Sequence, residues 1–224
     1  MRYPADHKEQ TRARIVAAAA RVFRRQGFQG GSVDDVMAEA GLTAGGFYAH
    51  FDSKDELFAA ALVETLRQGQ TLSGKRDEGL SGTALVQSIA RKYLSPAHRR
   101  LVDQGCPLPP LVSEITRQSP ATRRAFQGAV DEVTRSLAPH FAAGKDAAGK
   151  NDADPDRALA FMALLVGGMS LARAVADEET ADRILAACRA LLDDVLEPAT
   201  TAPGKPRRKR PRSSTTRKKG SPRS

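Results

Sequence analysis

The sequence predicts an all-α protein, and three observations support this prediction. Ala, Leu and Arg are abundant, whereas Val, Ile, Thr and aromatic residues rarely alternate with polar ones, a composition that favours helix over strand. Apolar residues recur three and four positions apart over most of the chain. Several of these stretches begin with Ser, Thr or Asp, which are preferred helix N-caps. The chain of 224 residues is long enough to bury a core in one or two domains.

The first predicted helix covers residues 7–26 and ends at Gly27, because glycine readily adopts the positive φ of a helix terminus. Its apolar stripe consists of Ile15, Ala18, Ala19, Val22 and Phe23. The remaining surface carries arginines, which suit either contact with phosphate groups or a solvated helix face. These arginines are Arg12, Arg14, Arg21, Arg24 and Arg25.

Residues 32–57, SVDDVMAEAGLTAGGFYAHFDSKDEL, predict two short helices joined by a tight turn and followed at once by a third helix. Ser32 and Asp35 have the spacing of a capping box at the start of the first of these helices. Gly41 suits the positive φ that ends that helix, and Thr43 is the expected N-cap of the next one.

The second helix of this segment is predicted to have a buried side and an exposed side. Phe47 and Phe51 lie one turn apart and are expected to face inward. The residues left largely outward are Ala44, Gly45, Tyr48 and His50. A helix, a glycine turn and a short exposed helix form a helix-turn-helix, whose second helix enters the major groove of DNA.

The segment resembles the TetR family of transcriptional regulators, in which a helix-turn-helix near the N-terminus ends in a characteristic run. The residues that carry the resemblance are Thr43, Gly45, Tyr48, His50, Phe51, Lys54 and Leu57. All of them stand at the family spacing, and a looser similarity extends over residues 8–197. The resemblance implies a three-helix DNA-binding head at 1–53 and a helical effector-binding and dimerisation domain at 54–197.

The predicted DNA contacts fall into two groups. Phosphate oxygens favour helix N-termini and side-chain donors, which indicates Thr43, Tyr48, His50 and Lys54. Base edges are expected to meet Ala44, Gly45 and Gly46. The family often has Lys at position 44, so Ala44 leaves one fewer long donor in the groove. Base specificity is then expected to depend partly on DNA shape and on Ser32 and Val33.

The rest of the chain predicts a helical body. Its helices are expected at residues 54–69, 82–94, 97–104, 109–118, 120–143, 155–176 and 179–196. Ser119-Pro120 and Asp154-Pro155 each place an N-cap before a proline at the first helical position. Pro139 is expected to kink or shorten its helix, and residues 144–154 to form a flexible loop. In the family, the helix equivalent to 54–69 links head to body and tilts when ligand binds.

The helices at 155–176 and 179–196 carry more apolar surface than one small body can cover. Two such helices from each of two subunits would form the four-helix dimer interface usual in the family; the alternative is a monomeric core. The predicted interface residues are Leu164, Gly167, Gly168, Leu171, Ile184, Leu185, Cys188 and Leu192. The uncharged run at 158–172 is short for a membrane span, so no membrane partner is expected.

A ligand pocket is expected among the body helices, although each candidate also suits a plain core position. The candidates are Tyr93, Cys106, Leu111, Ile115, Phe126, Phe161 and Leu165. The run from Gly105 to Glu114 is similar to a subset of the family with a Gly-Cys pair followed by Leu-x-x-Glu, some of which sense oxidants or electrophiles. Sensing would need a Cys106 thiolate, and the alternative is a small buried apolar residue.

The positive charge of the chain is concentrated at its end. Residues 199–224 hold ten of the 35 basic residues and no acidic one, so residues 1–198 hold 25 basic and 26 acidic residues. Residues 198–224 are therefore expected to be a disordered basic tail. The tail suits either non-specific DNA binding or a solubilising end. Two cysteines and a polar N-terminus indicate a reducing cytoplasm.

The sequence contains no pattern that predicts catalysis, a metal site or a cofactor. The nearest match to a P-loop, at 144–151, has Asn151 where magnesium needs Ser or Thr, and no apolar strand precedes it. We therefore expect a dimeric regulator, not an enzyme, that leaves a palindromic operator when a small molecule or an electrophile binds. The alternative is an accessory or nucleoid-type protein that binds DNA broadly, or binds a protein, through its tail.

Overall fold

The computed structural model describes residues 5–69, 77–141 and 153–196, and these ranges are helical, as predicted. The N-terminal helices are α1 (Ala5–Gly30), α2 (Val33–Glu39), a 3₁₀ helix that we call the recognition helix (Ala44–Ala49), and α3 (Lys54–Gly69). The body contains α4 (Gly82–Tyr93), α5 (Pro96–Arg100), α6 (Leu108–Ile115), α7 (Pro120–Leu137), a 3₁₀ turn (Ala138–Phe141), α8 (Pro155–Ala174) and α9 (Glu178–Leu196).

The head is held together by aromatic rings from three helices and from the segment that follows the recognition helix. Phe23 and Phe58 lie edge to face with centroids 5.2 Å apart, and Phe47 stacks on Phe51 at 5.9 Å. All four rings are almost fully buried. Because each ring comes from a different helix or turn, burying them together sets the angle of the recognition helix on the head.

Helix α1 departs from helical geometry at Gly27, whose φ of 74° and ψ of 175° confirm the predicted end. One further turn reaches Gly30, and the amide of Gly31 donates to the carbonyl of Gly27 over 3.2 Å. The positive φ is costly for any residue with a Cβ. The break turns Phe28 back onto Phe23 and Phe58.

Three predicted helices of the body end at least three residues early, and the one predicted at 109–118 ends at Ile115. The helix predicted at 97–104 is wrong beyond Arg100, since Arg173 donates to the carbonyls of His98, Arg99 and Leu101 and satisfies the end of α5. The helix predicted at 120–143 ends at Leu137. Pro139 has no amide hydrogen to continue α7 and lies within the 3₁₀ turn that follows it. This agrees with the prediction that Pro139 kinks or shortens its helix.

Helix α3 belongs to two cores. Its first half packs in the head, with Leu57, Phe58 and Leu62 almost fully buried, and Leu66 packs against the body. Leu111 and Ile115 of α6 also enter the head core. Packing is therefore continuous across residue 54, where the two domains are predicted to meet.

Helices α8 and α9 pack side by side in the body core, and three residues join them. By length and composition alone, α8 could cross a membrane, which is weak evidence because core helices pass the same test. Its Phe161, Leu165 and Met169 are buried against α4 and α9. The predicted flexible loop at 144–154 and the predicted disordered tail fall largely or wholly outside the described residues.

Candidate functional site

The helix-turn-helix begins with the predicted capping box. The amide of Asp35 donates to Ser32 Oγ over 3.0 Å, and the Asp35 carboxylate accepts from the Ser32 amide over 3.0 Å. Ser32 Oγ also donates to Asp35 Oδ2 over 2.6 Å, and these bonds lower the pKa of Asp35. Ser32 is thus occupied as a cap. Val33 packs partly against the head core, and Gly41 makes the turn with φ of 67°.

The recognition helix differs from the predicted α-helix in both geometry and capping. Its six residues form a 3₁₀ helix, and Thr43 at its N-cap makes no side-chain capping bond. Gly45 and Gly46 are poor α-helix formers, and a six-residue segment cannot offset that cost. Tyr48 is 74% exposed, so its hydroxyl faces away from the head.

The outward edge of the recognition helix is smooth. Ala44 and Gly45 are exposed, and a Cβ placed on Gly45 would meet no described atom within 4 Å. Gly46 is half-buried, and a Cβ there would lie 3.6 Å from the Met37 side chain. Because Ala44 and Gly45 carry no long side chain, this part of the surface allows close approach of another macromolecule.

His50 is half-buried, contrary to the predicted outward position. Its Nδ1 is buried and has no hydrogen-bond partner among the described residues. Burial lowers its pKa, and the charges of Lys8, Arg12 and His7 lower it further. The N-terminal turns of α1 therefore place basic groups beside the end of the recognition helix. Lys8 is a candidate contact that sequence analysis missed, since nothing in its local pattern links it to His50.

Lys54 has a partner within the head. Its Nζ lies 4.5 Å from the centroid of the Phe28 ring. Burial lowers its pKa, although Glu114 and Asp35 act in the opposite direction. This cation–π contact restricts the side chain, so Lys54 has less freedom to reach a phosphate than the sequence suggested.

Most arginines of α1 also have intramolecular partners. Arg14 donates to the carbonyl of Ala40 over 2.8 Å, and Arg21 and Arg25 donate to the Glu39 carboxylate over 2.8 and 2.9 Å. The Arg12 guanidinium lies 4.5 Å from the centroid of the Phe51 ring. These contacts join α1 to the helix-turn-helix, so they support its geometry rather than leaving a row of free cations.

A cavity of about 370 Å³ lies within the body, where a ligand pocket was expected. Four predicted residues line it, namely Tyr93, Cys106, Phe161 and Leu165. Three others do not: Leu111 and Ile115 are buried in the head core, and Phe126 packs between two clusters. The turn of α6 directs these side chains toward α1 and α3, a long-range packing choice that periodicity does not show.

His98 organises one wall of this cavity. Its Nδ1 lies 2.7 Å from the Tyr93 carbonyl, and its Nε2 accepts from the Cys106 amide over 3.2 Å. These partners require a neutral ring with its proton on Nδ1. Burial lowers the pKa of His98, which favours the same neutral form. His98 was not predicted, because a lone histidine carries no spacing signal.

Cys106 lies beside Tyr93 at the cavity. Burial raises the pKa of the Cys106 thiol, and a side-chain hydrogen bond with Tyr93 and the nearby Arg173 and Arg24 only partly oppose this effect. Burial also raises the pKa of Tyr93, and the neighbouring Cys106 side chain raises it further. The thiolate that oxidant sensing requires is therefore disfavoured in this state.

Arg24 points into the body instead of toward solvent. It is 8% exposed, lines the cavity, and donates from Nη1 to the Gly105 carbonyl over 3.1 Å. The sequence placed it with the surface arginines, because it lies across α1 from Ile15. Its burial arises because residues 101–107 cover that side of the helix.

A second contact joins α1 to the body at the other end of α6. The amide of Phe28 donates to Glu114 Oε2 over 2.5 Å, and the carboxylate lies against Gly27. Both ends of the 105–114 segment therefore bind the C-terminal part of α1. The Gly-Cys and Leu-x-x-Glu elements noted in the sequence are the two attachment points.

The outer face of α8 and α9 is apolar. Leu171 is 60% exposed, and Leu191 and Val195 are also exposed. Of the predicted interface residues, Leu164, Gly167, Leu171, Ile184 and Cys188 are exposed or half-buried. Gly168, Leu185 and Leu192 are buried in the core of this single chain.

A larger groove, of about 610 Å³, runs between α1 and α3 and is more open to solvent. Its floor is mostly alanine, and its rim carries charged side chains, including Arg12, Glu56 and Arg67. The smaller cavity encloses a ligand better, because aromatic and aliphatic side chains surround it. Among the residues that the structure describes, no cluster of His, Cys, Asp or Glu could hold a metal ion.

Two family models match the chain in the order of the fold. Residues 15–61 match the model described as bacterial regulatory proteins, tetR family. Residues 82–188 match the model described as tetracyclin repressor-like, C-terminal domain. The first match covers the helix-turn-helix, and the second covers most of the cavity lining and most of the α8–α9 face.

Curated relatives match parts of the chain. The uncharacterized regulator YfiR of Bacillus subtilis is 33% identical over 109 residues, which are 49% of this chain and 51% of YfiR. The regulator SrpR of Pseudomonas putida is 41% identical over 62 residues, which are 28% of this chain and 29% of SrpR. The chain thus spans about half of YfiR and less of SrpR.

Solved structures match more of the chain. A TetR transcriptional regulator from Chloroflexus aurantiacus is 26% identical, with a TM-score of 0.62, covering 84% of this chain and 96% of that one. Reduced NemR from E. coli has a TM-score of 0.63 over 83% of this chain and 96% of that one, and at 19% identity it shows the fold alone.

Proposed function

The chain belongs to the TetR family of transcriptional regulators, and from this premise we propose that it is a cytoplasmic repressor that leaves a palindromic operator when a small molecule binds. The observation that carries the proposal is the shape of the head. The stack of Phe47 on Phe51 packs the recognition helix against the head, and the capping box starts α2 immediately before it. Its smooth outer edge, with exposed Tyr48, suits close entry into a major groove.

The first experiment is a footprint of the purified protein on DNA fragments that include its own promoter region. Two-fold symmetry predicts protection of a palindrome whose half-sites lie on one face of the duplex, about one helical turn apart. Broad protection without a discrete site would instead favour an accessory or nucleoid-type role and would contradict the proposal.

The proposed DNA contacts are those predicted from the sequence, except that three of the predicted residues have mainly structural roles. Thr43, Tyr48 and the basic groups near His50 reach phosphates, and Ala44, Gly45 and Gly46 approach base edges. Ser32 mainly caps α2, and Val33 mainly packs against the head core. Lys54 mainly stabilises the head through its cation–π contact with Phe28.

Tyr48→Phe tests the phosphate assignment. Losing the hydroxyl should weaken binding to operator and unrelated DNA by the same factor, about threefold to tenfold, because phosphate contacts carry no sequence information. Tyr93→Phe is the matched control, since it removes a cavity hydroxyl and should leave DNA binding unchanged. Weakening that is confined to the operator would show that Tyr48 reads bases.

The cavity is proposed as the effector site, because its mostly apolar lining and size suit a small organic molecule. An electrophile acting at Cys106 is the less favoured effector, since burial raises the pKa of that thiol. Cys106→Ala should therefore leave the response of DNA binding to peroxide unchanged. Loss of a peroxide response in this variant, with Cys188→Ala as control, would restore the redox interpretation.

We also propose a homodimer through the exposed apolar face of α8 and α9. Leu171 and Leu191 expose large apolar side chains there. A charged residue at this face would be desolvated in a dimer, so Leu171→Arg should yield monomers in sedimentation velocity. Leu80→Arg changes an exposed leucine elsewhere and should leave the dimer intact. A dimer that persists in Leu171→Arg would contradict this interface.

The basic tail at 199–224 is proposed to add non-specific affinity for DNA. Deleting it should flatten the salt dependence of binding and leave the choice of operator unchanged, because it releases counterions without reading bases. An unchanged slope of affinity against salt would show that the tail does not contact DNA.

A further inference from the structure

The cavity contains a buried cationic group whose hydrogen-bonding capacity is only partly used. Arg24 donates from Nη1 to the Gly105 carbonyl, while its Nε is buried and has no hydrogen-bond partner among the described residues. Burial lowers the pKa of this guanidinium, with Asp103 partly compensating. A buried donor without a partner is costly, so the group is suited to an acceptor that arrives with a ligand.

The described lining of the cavity contains no acidic residue that could neutralise Arg24. The nearby carboxylates form ion pairs with other arginines: Asp103 lies 3.8 Å from Arg25, and Glu39 binds Arg21 and Arg25. His98 is held neutral by its two backbone partners. The cavity therefore has a positive wall and no negative one.

A second guanidinium, that of Arg173, lies behind the lining residues and adds positive charge near the cavity. Arg173 donates to the carbonyls at the end of α5, but its Nη1 is buried without a hydrogen-bond partner in the described ranges. It interacts electrostatically with Tyr93 and Cys106, which line the cavity. Two buried guanidinium donors without a hydrogen-bond partner among the described residues, Arg24 Nε and Arg173 Nη1, thus come from the same region.

Most of the remaining lining is apolar, and its other polar side chains are Thr65, Gln68, His98, Gln104 and Ser136. Leu66, Ile89, Leu137, Phe161, Leu165 and Val166 surround the rest of the cavity. A ligand that complements both parts needs an apolar body and one anionic end. A carboxylate matches a guanidinium best, because two parallel hydrogen bonds can form between the planar groups.

We propose that the effector is a small apolar carboxylate whose anionic group binds Arg24 within the body cavity. This inference rests on the proposed function and specifies its ligand. Because Arg24 belongs to α1, the ligand contacts the helix that also holds the helix-turn-helix through Arg14 and Arg21. The carboxylate replaces or supplements the Gly105 carbonyl as the partner of Arg24, which changes how the 105–114 segment is attached to the head.

The test uses the full chain and two pairs of probes, decanoate with decanamide and 4-phenylbutyrate with 4-phenylbutanamide. Binding is measured by calorimetry at neutral pH. At least one carboxylate should bind at millimolar concentration or below, and its amide at least about tenfold more weakly, since charge-assisted hydrogen bonds are the stronger ones.

Arg24→Gln removes the charge but keeps an amide donor for Gly105. It should weaken carboxylate binding by at least about thirtyfold, the lower range for truncating one partner of a buried charged pair. Arg21→Gln is the matched control on the same helix, because Arg21 pairs with Glu39 outside the cavity. The control should bind the carboxylate as the unsubstituted protein does.

Three results would overturn the inference: amides that bind as tightly as acids, Arg24→Gln that retains the carboxylate affinity, or no binding by either carboxylate. If Arg24→Gln fails to fold, the acid–amide comparison on the unsubstituted protein decides alone. The operator footprint without probe tests the proposed function separately. A discrete footprint with no preference for acids would count against this inference and leave the regulator proposal standing.

Discussion

Replacing Glu114 by alanine removes the hydrogen bond that attaches the end of α6 to the end of α1. The Phe28 amide that donates to this carboxylate is partly buried, and the bond length is 2.5 Å. The carboxylate also attracts Lys54, whose Nζ lies over the Phe28 ring. The substitution therefore leaves the Phe28 amide without its acceptor and leaves Lys54 with Asp35 as its remaining nearby anion.

The expected loss in stability follows from the negative charge of the acceptor, Glu114. Hydrogen bonds to charged groups contribute about 1.5–3 kcal/mol, and Glu114 is half-buried, so we expect Glu114→Ala to lower the free energy of unfolding by about 2 kcal/mol. For a protein of this size that corresponds to about 4–8 °C in Tm. Glu114→Gln keeps an acceptor without the charge, so it should cost about 1 kcal/mol.

Urea unfolding followed by circular dichroism measures both variants beside Glu9→Ala, which removes an exposed carboxylate of α1. The control should lie within about 0.5 kcal/mol of the unsubstituted protein. Two results would refute the reasoning. Either Glu114→Ala is as stable as the control, or glutamine destabilises as much as alanine, which would mean that charge alone matters.

Three further predictions concern the cap, the core and pH. Ser32→Ala should lower thermal stability by about 1 kcal/mol, whereas Ser32→Thr should preserve it, because only alanine removes the capping oxygen; equal melting temperatures would contradict this. Leu185 is fully buried, so Leu185→Ala should lower the free energy of unfolding in urea by about 2–5 kcal/mol. Leu171 is exposed, so Leu171→Ala should lower it much less per subunit. Similar losses in the two variants would show that α9 packs differently. His98 has a lowered folded pKa, so its neutral form contributes stability above pH about 6.5 that is lost as pH falls toward the folded pKa. Stability measured at pH 7.5 and 5.5 should therefore differ less in His98→Gln, and an unchanged difference would exclude His98 as the source.

Much of the helical framework could be predicted because its signals are local. The Ser32–Asp35 box, the Gly41 turn and the caps at Ser119 and Asp154 depend on residues within a few positions of one another. The ends of α5 and α7 show the limits of such reasoning. α5 stops where Arg173, more than seventy residues away, satisfies its carbonyls.

The site was predictable only where a family motif or an unusual exposure marked it. Tyr48 and the glycines of the recognition helix occupy exposed or half-buried positions consistent with the motif, whereas His50 turned partly inward. Cavity residues were harder, because a core leucine and a cavity leucine have the same periodicity. Leu111 and Ile115 packed into the head core, and Leu165 lined the cavity.

The sequence by itself determined the all-α class, the helix-turn-helix and the family, because caps, glycine turns and apolar spacing act over one or two helical turns. Only the tertiary structure decided that Arg24 enters the body cavity and that Glu114 binds the end of α1. It likewise decided which apolar residues of α8 and α9 stay exposed. The physical reason is that burial of a side chain depends on what covers its face of the helix, and those covering segments come from distant parts of the chain.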